Sequence, residues 1–235
     1  MPSNEHISRQ FDTELEAIRA NVLQMGGLVE SQIKSAVESL VSGDVALMTR
    51  VIEEDHRVNA MEVKIDESCT QVIARRQPTA SDLRLVMTVV KTITDLERIG
   101  DEAEKIARMA KMLSQKHGLV IPRYNEIKHA SEIAVDMLRK SLDAFARLDV
   151  AMAAKVVRQD DMVDEEFRAI MRYLITFMME DPRTISTSLE ILFVAKAIER
   201  IGDHAKNISE YVIYMVKGRD VRHVTVDEIE REVQL

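Results

Sequence analysis

The sequence predicts an all-α protein made of two tandem, homologous three-helix bundles, and three observations lead there. The 235 residues are 46% hydrophobic but only 4% aromatic, with no Trp, seven Gly and four Pro. Leu, Ile, Val, Ala and Met with abundant charge and few turn formers suit packed helices rather than sheets. Apolar residues recur at three- or four-residue steps through long segments, which is the period of one helical face. Finally, "LERIGDEA" at 96–103 returns as "IERIGDHA" at 198–205, matching at six of eight positions with an offset of 102. Such self-similarity marks a duplicated unit.

The first helix is predicted from about Ile7 to Val41, with Leu15, Ile18, Val22, Met25, Val29, Ile33, Val37 and Leu40 on its apolar stripe. Ser42-Gly43-Asp44 ends it, and Asp44 is placed to cap the next helix. That second helix carries Leu47, Val51, Val58, Met61 and Ile65 and stops before Pro78, whose ring cannot continue it. A third begins near Ser81 or Asp82 and reaches about Gln115, closing a first bundle over residues 1–117. Gly118 and Pro122 make residues 118–123 the linker. The second bundle, residues 124–217, repeats the plan. A helix from Tyr124 to about Arg147 leads to the cap Asp149, and the next runs to Glu180, where Asp181-Pro182-Arg183 breaks it. The last helix spans about Ser186 to Val216, and residues 218–235 read as a charged, partly mobile tail. Landmarks keep step between the halves: Asp44 with Asp149, Asp55 with Asp160 and Val58 with Val163 at an offset of 105, and Pro78 with Pro182 at 104.

Composition also sets aside several function classes. A net charge of −8 argues against non-specific nucleic-acid binding. Cys69 is the single cysteine, so no intramolecular disulfide and no thiolate zinc cluster can form, and it is expected to pack as a small hydrophobe. The first ten residues lack a basic-then-apolar signal pattern, and no run reaches the roughly 18 apolar residues of a membrane span. The expectation is a soluble, cytoplasmic protein.

The repeated stretch carries the chemistry. A glycine inside a helix costs about 1 kcal/mol against alanine, and like charges at i,i+4 add roughly 0.2–0.5 kcal/mol. Both copies accept both penalties. Glu97 with Asp101, and Glu199 with Asp203, project from one helical face in each half. Carboxylates at this spacing can hold a hard or borderline divalent cation, with Gly100 and Gly202 allowing a neighbouring helix or the ion's ligands to approach. Asp160 and Asp164 repeat the spacing on the middle helix of the second half; their counterparts are Asp55 and Asn59. His204 offers a nitrogen ligand next to Asp203, and Arg98 and Arg200 can neutralise the acids or face a phosphate. By this count the second-half site, with Asp164 and His204, should bind metal more tightly than the first. Such oxygen-rich sites accept Fe, Zn, Mn or Mg.

Other readings of the same residues remain open. The acids also suit a solvated face, with Lys105 as a partner for Asp101, in a metal-free structural bundle. E-x-x-H occurs at Glu53–His56 and at Glu126–His129, the kind of motif that a ferritin-like di-iron oxidase or ferroxidase builds into a four-helix core. No phosphate-cradling glycine loop and no H-E-x-x-H zinc motif is present.

The two ERIGD segments, "RQPTASDLRLVMTVVKTITDLERIGDEAEKIA" and "AKAIERIGDHAKNI", together with "QMGGLVESQI" near the start, resemble the PhoU family of phosphate-specific transport system accessory proteins over nearly the whole chain. The resemblance implies a PhoU-like fold and a cytoplasmic, non-catalytic regulator, commonly a homodimer, that helps repress the phosphate-starvation regulon when phosphate is plentiful. Its implied partners are a PhoR-type sensor histidine kinase and the ATPase subunit of the phosphate ABC transporter. Nucleic acid is not among them, and membrane contact comes only through these partners. The family's E(D)-x-x-x-D metal motifs fall on Glu97 and Asp101 and on Glu199 and Asp203. Asp160 with Asp164 fits as well, whereas Asn59, beside Asp55, departs from the pattern.

Overall fold

The computed structural model describes residues 9–115 and 124–234, and among these there are α-helices and one 3-10 turn but no strand. The first half holds α1 (Arg9–Ser42), α2 (Val45–Glu54), α3 (His56–Arg76) and α4 (Ala80–Ser114). The second holds α5 (Tyr124–Arg147), α6 (Val150–Glu180), the 3-10 turn Pro182–Thr184, α7 (Ile185–Lys217) and α8 (Val226–Gln234). The predicted linker, 118–123, lies outside the described residues. All eight residues of the predicted α1 stripe are buried. The caps also stand where the sequence put them. Asp44 Oδ1 accepts from the amides of Ala46 and Leu47 at 2.9 and 3.0 Å, and Asp149 Oδ1 from that of Met152 at 2.9 Å.

Two elements differ from the prediction. The second helix is interrupted at Asp55, where the Val58 amide closes a tighter i→i+3 turn on the Asp55 carbonyl at 2.9 Å. Apolar spacing continues through the break, which is why periodicity does not reveal it. The charged tail is also more ordered than its composition announces. It turns back to form α8, burying Val221 and Ile229 and pairing Asp227 and Glu230 with Arg158 of α6.

α1, α4, α7 and α5 pack in a ring, with α2 and α3 on the outer side of α1 and α4, and α6 on the outer side of α5 and α7. The halves therefore share one continuous apolar core. α4 and α7 run antiparallel: Glu102 pairs with Arg200 at 2.8 Å, and nearer the start of α4 Lys91 sits over the rings of Tyr211 and Tyr214. α1 and α5 cross closely because Gly26 has no side chain; a Cβ there would lie 2.5 Å from Leu142 Cδ1. This antiparallel pairing brings the two ERIGD segments to the same level of the molecule, each turned toward the outer helix of its own half. Gly100 lies against Val58, and Gly202 against the counterpart Val163.

Candidate metal sites in the two halves

In the first half three elements converge on Gly100. Asp55, at the α2–α3 break, accepts from Gln32 Nε2 of α1 at 2.9 Å and from Asn59 Nδ2 at 3.2 Å. A Cβ on Gly100 would meet Gln32 Oε1 and Val58 Cγ1 at 3.3 Å and Asp55 Oδ1 at 3.4 Å. Gln32 Oε1 is buried with no hydrogen-bond partner, in a residue only 8% exposed. Glu97 and Asp101 flank the glycine. Burial raises the pKa of both, helped by Asp101 and then Glu62 and Asp55 at Glu97, and by Asp55 at Asp101. Their basic neighbour is Arg98, half-exposed, 3.5 Å from Glu97 and 3.3 Å from Asp101. Lys105 turns instead to Glu102, at 3.2 Å, so the surface pairing that would have explained Asp101 is not made.

In the second half Asp160 is buried and accepts from Lys206 Nζ at 2.8 Å. Asp164 is paired with Arg168 at 2.9 Å, and Glu199 with Lys196, whose ammonium also lies over the Phe167 ring. The pKa of Asp203 is pushed up to about 6 by burial first, then by Glu199 and Asp160. Burial likewise raises that of Asp160, against the pull of Lys206. Each half therefore gathers acids from two facing helices around a helical glycine. The donors are all oxygens, which suits a hard divalent cation. Among the described residues no group of three His, Cys, Asp or Glu is arranged to hold an ion as it stands. Glu97, Asp101, Asp160, Asp164 and Glu199 are turned to basic neighbours and Asp55 to the amides of Gln32 and Asn59, so these side chains would have to rotate onto a metal.

His204 leaves the acidic face. Being one residue past Asp203, it points about 100° away around the helix and enters the α4–α7 seam, where its Nδ1 lies 2.7 Å from Asp95 Oδ1. Asn207 Nδ2 donates to the same oxygen at 3.1 Å. The His204 Nδ1 thus serves an inter-half contact, while its buried Nε2 has no hydrogen-bond partner. Arg200 likewise serves the seam through Glu102. The E-x-x-H motifs do not meet in the core: His56 Nδ1 lies on the carbonyl of its own Glu53, and exposed His129 is 3.9 Å from Glu166. Cys69 is fully buried, with its thiol pushed up to about 12. Gln32, Glu62 and Lys206 were missed because their relation to the acids is tertiary, whereas Lys196, at i,i+3 to Glu199, was open to helical spacing. For the first three the only hint was that Gln32 lies within "QMGGLVESQI".

A family model described as the PhoU domain matches the chain twice, over residues 22–110 and 127–212. The chain belongs to the PhoU family. Among PhoU proteins it is 52% identical to the phosphate-specific transport system accessory protein of Serratia marcescens, over 97% of this chain and 93% of that protein. With the Escherichia coli K12 protein of the same description it is 51% identical, over 97% and 94%. The crystal structure of PhoU from Pseudomonas aeruginosa superposes with a TM-score of 0.85 at 48% identity, over 89% of this chain and all of that one. The phosphate transport system regulatory protein PhoU from Streptococcus pneumoniae gives 0.83 at 27% identity, over 90% and 99%. The double match falls on the two halves whose ERIGD segments carry the acids.

Proposed function

We propose that the chain is a non-catalytic regulatory adaptor of a phosphate-specific transport system, and that its acidic faces hold divalent cations. The observation that carries the reading is the double PhoU match together with about half identity to accessory proteins over nearly the whole chain. In this reading the chain works as a cytoplasmic homodimer. It docks on a PhoR-type sensor histidine kinase and on the ATPase subunit of a phosphate ABC transporter, and helps keep starvation genes repressed while phosphate is plentiful.

Two features support an adaptor. Ile185, Leu189 and Phe193 stand at i, i+4 and i+8 on α7 and are all exposed, as are Ile175 and Met179 on α6. Apolar stripes of this kind serve protein contacts. No described helix is long and apolar enough to cross a membrane. In the first half Asp55, Glu97 and Asp101, with the neutral oxygens of Asn59 and Gln32, would hold the metal; in the second, Asp160, Asp164, Glu199 and Asp203. A bound cation would offset repulsion between the acids and tie the outer helix to α4 or α7. The chain's own part is to present those oxygens from two helices and to expose the docking stripe. The test is genetic. Deleting the encoding gene should release a starvation-induced phosphatase in phosphate-rich medium, and the wild-type chain, but not Leu189→Asp/Phe193→Asp, should restore repression. Intact repression in the deletion strain would refute the reading.

A further inference from the structure

The two acidic faces are not equivalent, and the difference lies in counterions supplied by the chain. In the second half three cations sit on the acids: Lys206 on Asp160, Arg168 on Asp164 and Lys196 on Glu199. At the offsets of 102 for α4 against α7 and 105 for α3 against α6, their first-half counterparts are Glu104, Val63 and Thr94. None is basic. The shared contact of Gly100 with Val58 and Gly202 with Val163 shows that both offsets hold in space.

The exchange extends to the neighbours. Lys196 packs on Phe167 in the second half, whereas in the first Thr94 Oγ1 lies 3.4 Å from Glu62, the counterpart of Phe167, and 3.2 Å from the carbonyl of Val90. The i,i+4 pair Lys206 and Glu210 is reversed to Glu104 and Arg108, and Arg108 pairs with Glu104 rather than with Asp55. Of the first-half acids, Glu97 and Asp101 pair with the half-exposed Arg98, while Asp55 accepts from the neutral amides of Gln32 and Asn59 and feels Arg108 only beyond ion-pair distance. The first half also holds an oxygen that the second lacks. Gln32 Oε1 is unpartnered and more than nine-tenths buried, facing Gly100, while its amide nitrogen is spent on Asp55. The residue 105 further on is Met137, which offers no oxygen.

We propose that the first half alone takes up a divalent cation, with Gln32 Oε1 as a neutral donor beside Asp55, Glu97 and Asp101, and that Lys196, Lys206 and Arg168 replace the ion in the second half. This rests on the metal-binding reading above, confines it to the first of the two acidic faces, and reverses the ranking drawn from Asp164 and His204. An ammonium within hydrogen-bond reach of a carboxylate occupies the position that an ion would take, and a metal must displace it before binding. In the first half the cation paired with these acids is Arg98, Asp55 being held by neutral amides, and a metal satisfies a buried oxygen that otherwise lacks a partner.

The test uses the full chain, stripped with chelator and titrated with Mn²⁺, read by bound metal and by the shift in melting temperature. Glu97→Ala/Asp101→Ala should weaken Mn²⁺ binding at least tenfold, while Glu199→Ala/Asp203→Ala leaves it within about twofold. Thr94→Lys/Glu104→Lys, which installs the second-half cations on an otherwise intact acidic face, should also weaken binding at least tenfold. Its unliganded melting temperature reports that it folds. Gln32→Met should weaken binding severalfold. Two outcomes overturn the proposal in distinguishable ways. If each acid-pair variant loses part of the bound Mn²⁺, or Thr94→Lys/Glu104→Lys binds like wild type, the asymmetry fails and metal binding stands. If the wild-type chain takes up no Mn²⁺, both fail.

Discussion

Gly100 and Gly202 occupy the same place in the same pentapeptide, yet alanine should act on them in opposite senses. Replacing a mid-helix glycine by alanine gains about 0.5–1 kcal/mol in backbone entropy. At Gly202 nothing opposes that gain, since the new methyl would lie 3.5 Å from three Val163 carbons, ordinary packing distance. Gly202→Ala should therefore stabilise the chain by about 0.5–1 kcal/mol and raise the melting temperature by roughly 2–4 °C per kcal/mol for a chain of this size. At Gly100 the methyl would press on Gln32 Oε1 and Val58 Cγ1 at 3.3 Å and on Asp55 Oδ1 at 3.4 Å. Yielding means moving an amide whose other end bonds Asp55 at 2.9 Å. Loosening that buried hydrogen bond costs about 1–3 kcal/mol, so Gly100→Ala should come out between neutral and about 2 kcal/mol destabilising. The assay is thermal and urea unfolding of both variants in chelator, so that protein packing alone is read. Equal responses at the two glycines, or a loss above about 1 kcal/mol at Gly202, would refute the reasoning. The expectation that both glycines serve close approach then survives at Gly100 only.

Two further outcomes can be measured on the same material. Burial pushes Glu210 up to about 7, with Lys206 pulling the other way. Because the folded value exceeds the unfolded one, its contribution to stability is complete below about pH 4.5 and is lost as pH rises through about 7. Discounted for solvent screening this amounts to about 1–2 kcal/mol. Wild type should lose that much more than Glu210→Gln in urea unfolding between pH 5 and 8; equal slopes would contradict it. Leu148 ends α5 with φ +56°, at the position equivalent to Gly43, whose φ is +71°. A left-handed non-glycine residue costs about 1–2 kcal/mol, so Leu148→Gly should raise the urea midpoint, and an unchanged or lower midpoint would show that the Leu148 side chain compensates.

Much of the fold was legible because helices are local objects. The α1 stripe, the caps Asp44 and Asp149, and the breaks near Pro78 and Pro182 follow from period and turn chemistry in neighbouring residues. The interruption at Asp55 was not legible, because the apolar period runs through it and what turns the Asp55 carboxylate inward is Gln32 from another helix. α8 was hidden by its charge, since its register depends on Arg158 and on the buried seat of Ile229.

The same division holds at the candidate site. Sequence by itself determined the duplication, the paired acids and the helical glycines, because i,i+4 spacing fixes which side chains share a face. Tertiary structure decided which neighbours those acids have. It sent His204 and Arg200 into the seam between the halves, set Lys206 of α7 on Asp160 of α6, and left Gln32 Oε1 unpartnered beside the first acidic face, whereas Lys196 and Arg168 reach Glu199 and Asp164 by i,i+3 and i,i+4 spacing alone. Charge neutralisation and hydrogen bonding act over a few ångströms in space, and the partners Lys206 with Asp160 and Gln32 with Asp55 lie far apart along the chain.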